Sequence, residues 1–231
     1  MTINVHKKYG RFQVWSDWPP TIHSIKDIKS NQELVSFRRI KNSHKGINDY
    51  KNIKKLIAHS VDQGFLDEIA KLKNLEYLYL DTITAHNLSS LKNLNKLKIL
   101  KLEGVRKAKS FKPLLEIKSL TSLFIENAKH LSDLEVFSNA HNLVALGVEG
   151  SMWTMQKIPT LKPLDNLKNL EALFMSSVQL KDKNLTYLKS NKKLYALECS
   201  RFAPKHSFTQ LREFMPNLQC NWCDNYEIEE Q

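Results

Sequence analysis

The stretch Leu75-Glu76-Tyr77-Leu78-Tyr79-Leu80 returns along the chain with its apolar spacing kept. It reappears as Leu97-Lys98-Ile99-Leu100-Lys101-Leu102, Leu120-Thr121-Ser122-Leu123-Phe124-Ile125 and Leu143-Val144-Ala145-Leu146-Gly147-Val148. Two later copies are Leu170-Glu171-Ala172-Leu173-Phe174-Met175 and Leu194-Tyr195-Ala196-Leu197-Glu198-Cys199. The last two apolar residues of each copy lie two apart, the period of a strand with one buried face. The central leucines stand at 78, 100, 123, 146, 173 and 197, so the repeat runs to 22–27 residues. A unit of that length cannot bury its apolar edge alone and does so by stacking on further copies.

Earlier in the chain, Ile53-Lys54-Lys55-Leu56-Ile57-Ala58 reads as another such strand, and Leu34-Val35-Ser36-Phe37 as a degenerate first one. Between strands the apolar period changes to three or four, as in Leu66…Ile69…Leu72, Leu88…Leu91…Leu94 and Leu131…Leu134…Phe137. That spacing predicts short helices of about two turns, too short to persist without their neighbours. Phe208…Leu211…Phe214 repeats the helical pattern, and Leu218-Gln219-Cys220-Asn221-Trp222 alternates as a terminal strand would. Residues 1 to about 30 do not follow the repeat. Their apolar, aromatic-rich run, Phe12, Val14, Trp15 and Trp18, ends in Pro19-Pro20 and is expected to cap the open edge of the stack.

From about Ile53 to Trp222 the chain resembles the leucine-rich repeat superfamily, in particular the bacterial internalins and the leucine-rich regulatory subunits of protein phosphatase. Phe111-Lys112-Pro113-Leu114 and Leu161-Lys162-Pro163-Leu164 look like the Pro-Leu step of internalins. The resemblance implies an α/β leucine-rich repeat solenoid, with a curved parallel sheet on the concave face and short helices on the convex face. It also implies a protein-binding scaffold without catalysis. One departure is plain: the position five residues after the central leucine, Asn in those families, holds Ile83, Val105, Ala128, Ser151, Val178 and Phe202. The turn ladder of those families is therefore expected to be absent or replaced by apolar packing. On this reading residues 1–50 are an N-terminal cap and degenerate first repeat, 51–222 the solenoid and 223–231 an acidic tail.

The net charge is +11, spread unevenly: residues 1–65 hold 12 Lys/Arg against 5 Asp/Glu, and the segment after Cys220 holds four acids and no base. A basic balance favours acidic or nucleic-acid partners when the cations share a face. Here Arg106, Lys107, Lys109 and Lys112 follow one strand, and Lys181, Lys183, Lys189, Lys192 and Lys193 lie together later. No 18-residue apolar run occurs, so a membrane span is not expected. Three cysteines and a start without an apolar leader make a cytoplasmic location the expectation.

The residues flanking the inward leucines face out from the sheet. Asp81, Glu103, Glu126 and Glu149 form a column of carboxylates, and Tyr77, Tyr79, Phe124 and Phe174 stand beside them with Lys101 and Glu198. Exposed aromatics among small residues and acids predict a concave groove for a protein partner that is basic. An antitoxin-like inhibitor of a basic nuclease is a narrower version of the same idea. A nucleic-acid-associated protein using its basic convex loops is the alternative, which the interleaving of aromatics with acids argues against. The step from Leu146 to Leu173 holds extra residues, and Met152, Trp153 and Met155 within it predict a second contact surface, unless Trp153 folds back over a wider turn.

Cys220-Asn221-Trp222-Cys223 is a lone C-x-x-C pair without the second pair that a structural metal site needs. No phosphate-cradling glycine loop or G-x-S-x-G motif occurs. No catalytic residue, metal or cofactor is expected.

Overall fold

A computed structural model describes residues 4–11 and 18–227. Contacts divide the chain into two compact units, Met1–Leu131 and Ser132–Gln231. In the first unit five strands run parallel: β1 (Leu34–Arg38), β2 (Lys55–Val61), β3 (Tyr77–Ile83), β4 (Ile99–Val105) and β5 (Ser122–Ala128). Their register is that of the sequence repeat, Leu56 opposite Leu78, Leu78 opposite Leu100, and Leu100 opposite Leu123. The inward leucines of this ladder are fully buried. The parallel order follows from the repeat length, because a parallel pair needs a return connection of a dozen residues or more.

The second unit continues the pattern with β6 (Ala145–Glu149), β8 (Ala172–Met175) and β10 (Ala196–Cys199), paired in the order β6–β8–β10. A separate two-stranded parallel sheet joins β7 (Gln156–Ile158) to β9 (Val178–Leu180). The extra residues after Leu146 therefore form a strand as well as a loop. The signal for its partner strand is the apolar–polar–apolar alternation of Val178-Gln179-Leu180. Both units have the expected fold class, an α/β leucine-rich repeat solenoid.

The connecting segments differ from expectation. Only α2 (Gln63–Ile69) is an α-helix; Ser89–Asn93, Lys112–Glu116, Glu135–Phe137, Lys162–Leu164 and Thr186–Ser190 are 3-10 turns. A 3-10 turn rises about 2.0 Å per residue against about 1.5 Å for an α-helix, so few residues span the return path. At the C-terminal end, α3 (Lys205–Phe214) buries Phe208 and Leu211 as its spacing predicts. The expected terminal strand over 218–222 is instead a single bridge from Gln219 to Ala196, followed by a short helix α4 (Asn221–Asp224). Leu218 and Cys220 are buried, while the Trp222 indole donates to the Cys199 carbonyl at 2.7 Å.

The turns are tied together in two ways. Ile83, Val105, Ala128, Val178 and Phe202 are buried, so apolar packing does replace the expected Asn column. A polar ladder nevertheless exists, one residue before the first apolar residue of the copies. Asn52 donates to the Ser30 carbonyl, Asn74 to Lys51, Ser119 to Leu97 and Asn169 to His141, at 2.8 or 2.9 Å. Lys96 and Lys193 continue it by donating to the side chains of Asn74 and Asn169. The recurrence of Asn at that position is its signal in the sequence.

A left-handed residue closes most strands at one position: Ser60, Thr82, Gly104, Asn127 and Ser177 all have φ between 53° and 67°. The reversal turns the following apolar residue back into the core. Only Gly104 adopts this backbone without steric cost. A Cβ there would meet the Thr82 backbone at an ordinary 3.7 Å, so substitution strains the backbone alone. Gly104→Ala is expected to lower stability by about 1–2 kcal/mol, seen as a lower urea midpoint with an unchanged slope.

Candidate functional site

In the first unit, the outward face of the sheet is not an open groove. Tyr77 and Tyr79 are 4% and 7% exposed, and they cluster with Ile57, Ile99 and Trp18. The Trp18 ring lies 5.4 Å from that of Tyr77, and a Cβ on Gly10 would overlap the Ile99 side chain. The described part of the N-terminal segment, α1 (Val5–Tyr9) closed by Gly10, thus reaches the outward face of the strands. Trp18 was expected to cap the edge; that edge is instead covered by Ile22, which pairs with Phe37. Phe12, Val14 and Trp15 lie outside the described residues.

Phe124 is 1% exposed, and Phe174, in the second unit, is fully buried. The expected row of exposed aromatic anchors is therefore corrected at all four positions, Tyr77, Tyr79, Phe124 and Phe174. The physical reason is general: uncovered aromatic surface is costly in water, and a chain with spare apolar segments covers it with its own residues.

The carboxylate column also has partners within the chain. Asp81, Glu103 and Glu126 stand in register on neighbouring strands. The Lys101 ammonium lies between the latter two, 3.4 Å from Glu103 and 3.6 Å from Glu126, and 4.7 Å over the Tyr79 ring. The Tyr79 hydroxyl donates to Glu103. Burial together with that carboxylate pushes the phenol up, so it remains a donor. Glu149 is buried and accepts from the Ser176 N–H at 3.3 Å, and Glu198 is half-buried opposite Phe174. Like charges on adjacent strands repel, and the inserted lysine offsets that cost.

His59 sits opposite Asp81, with Nδ1 at 2.8 Å from the carboxylate. Burial pushes the Asp81 carboxyl up, but hydrogen bonds from His59 and the Thr82 hydroxyl outweigh it and hold the carboxyl below its ordinary value. A depressed folded value means that this site adds stability above the unfolded value, about pH 4, and loses it as pH falls through the folded one. Between pH 5 and pH 3, Asp81→Asn should therefore lose less stability than wild type in urea titrations. Equal losses would show that Asp81 is not a source of acid sensitivity.

In the second unit, Met152, Trp153 and Met155 are 84%, 89% and 55% exposed, and Trp153 does not fold back over the turn. The loop is nevertheless built. The Ser151 N–H donates to the Thr154 carbonyl at 2.7 Å, and its hydroxyl accepts from the N–H groups of Trp153 and Thr154. Its base is tied to the next repeat by Gly150 N–H to Ser176 and Gln156 N–H to Ser177. A Cβ on Gly150 would fall on the carbonyl oxygens of Ser177 and Thr154, so only glycine fits where the loop leaves the sheet. Among the described residues, Ile40 and Phe214 are the other exposed large apolar side chains, both less exposed than the three in the loop, and they lie apart from it in sequence.

The three thiols, Cys199, Cys220 and Cys223, are free. Among the described residues, no group of three or more His, Cys, Asp or Glu is placed to hold a metal ion. No described helix is long and apolar enough to cross a membrane.

The stacked strands, inward leucines and returning turns define the leucine-rich repeat fold. An internalin (inlF) of Listeria monocytogenes is similar in fold, with a TM-score of 0.54 at 19% identity, over 80% of this chain and 56% of that one. An internalin C2 (inlC2) from the same organism aligns with a TM-score of 0.49 at 18% identity, over 74% of this chain and 70% of that one. This chain thus spans little more than half the length of the first internalin. No protein-family model matches the chain, and no curated protein matches it by sequence.

Proposed function

We propose that this protein is a non-enzymatic protein-interaction scaffold that engages its partner through the Met152–Met155 loop. The observation that carries the reading is a Trp side chain held 89% exposed, between two exposed methionines, on a turn fastened by five hydrogen bonds, three involving Ser151 and two to the adjoining repeat. Leaving so much apolar surface in water has no folding benefit, and a rigid aromatic beside adaptable methionines is the composition of a binding hot spot. The internal pairing of the carboxylates and the burial of the aromatics favour the loop over the sheet face. A cytoplasmic location belongs to the same proposal, supported by the free thiols. The test is affinity capture from nuclease-treated lysate of the native host with the wild-type chain and with Trp153→Ala. A protein retained by wild type and lost from the variant is the expected result. Identical capture by both would remove the loop from the reading.

A further inference from the structure

Met155 also lines a groove in the second unit that encloses about 580 Å³. Its floor is apolar, formed by Val178, Leu180 and Phe202, all buried. Its rim carries four cations, Lys157, Lys181, Lys183 and Arg201, all exposed, and no carboxylate lines it. The small sheet sets this arrangement. Lys157 stands opposite Gln179 and Ile158 opposite Leu180, so the alternation turns Lys157 to solvent and Ile158 inward. Lys181 follows directly, held by its N–H to the Ile158 carbonyl at 2.9 Å. Arg201 is positioned over the rings of Trp222 and Tyr226, at 5.7 and 5.6 Å.

Among the described residues, none of these four cations forms an ion pair with a carboxylate. The contrast with the sheet face of the first unit is direct, since the acids there are satisfied by Lys101 and His59. Four like charges around an apolar cleft concentrate a positive potential at its mouth. We propose that this groove docks an acidic protein segment, whose carboxylates meet the four cations while one apolar side chain seats on the floor beside Met155. The proposal rests on the scaffold reading and names the chemistry of its partner, which is opposite in charge to the one the carboxylate column suggested. A nucleic-acid strand fits less well, because it needs aromatic faces to stack on along the cations, and the aromatic in this lining, Phe202, is buried.

The test pans a display library of random 12-residue peptides against the full chain, then titrates enriched peptides into wild type and into the double variant Lys157→Glu/Lys181→Glu. The expected result is enrichment of net-negative peptides bearing an aromatic or long aliphatic residue. Their affinity should fall by ~10-fold or more in the double variant, and should weaken with added salt. Absence of enrichment, enrichment of neutral or basic peptides, or equal affinity for both chains would overturn the proposal. So would a single-stranded oligonucleotide that loses its binding in the double variant while no acidic peptide is enriched. The scaffold reading is separated by running the double variant in the lysate capture. A partner lost with Trp153→Ala but kept by the double variant leaves that reading standing and removes the groove. A partner kept by both variants removes both.

Discussion

Phe124→Ala is expected to cost about 3–5 kcal/mol of stability, the range for deleting a fully buried aromatic ring. The ring is 1% exposed although it sits at an outward strand position, so its loss leaves a cavity as well as forfeiting burial. A domain is typically stable by only about 5–15 kcal/mol, so the variant should lose a large share of its native margin. The measurement is a urea unfolding curve, with a strongly lowered midpoint expected. Fully buried Phe174 should behave in the same way in its own unit. If the midpoint of Phe124→Ala matched wild type, the ring would be solvated in solution, and the sheet face would return as a candidate contact surface.

Trp153→Ala should do the reverse. At 89% exposure its removal is expected to change stability by no more than about 0.5 kcal/mol. Its effect on affinity for the captured partner should be about 2–4 kcal/mol, or roughly 30- to 1000-fold, as for a central aromatic anchor. Isothermal titration of the purified partner against both chains measures this, with the urea curve as the stability control. A loss of affinity with an unchanged midpoint assigns the side chain to recognition. An unchanged affinity would leave Trp153 without a role in binding.

The two variants mark where the sequence was legible. Phe124 and Trp153 were both candidate anchors, because each is an aromatic at a position that the repeat does not need for its inward ladder. Strand alternation tells which face a side chain leaves by, but it does not tell whether that face is covered. What covers Tyr77 comes from Trp18, 59 positions away in the chain, and no local period records such a contact. Likewise the carboxylate column was readable, whereas its neutralisation depended on the Lys101 rotamer and on the phenol of Tyr79. The Asn ladder is of a different kind, because its signal is local. Asn52, Asn74, Asn142 and Asn169 recur one residue before the first apolar residue of their copies, away from the position five residues after the central leucine where the resemblance places Asn.

The sequence by itself determined the repeat, the strand register and the inward core, because those follow from apolar spacing that every copy restates. It also determined that the segment after Leu146 departs from the stack, since a fixed return path cannot absorb extra residues without a bulge. Tertiary structure alone decided which outward side chains meet solvent. It buried Tyr77, Tyr79, Phe124 and Phe174, left Trp153 in water, and gathered Lys157, Lys181, Lys183 and Arg201 from three successive repeats around one groove. The reason is that exposure and charge clustering depend on contacts between segments remote in the chain, and a repeat carries information only about its own neighbours.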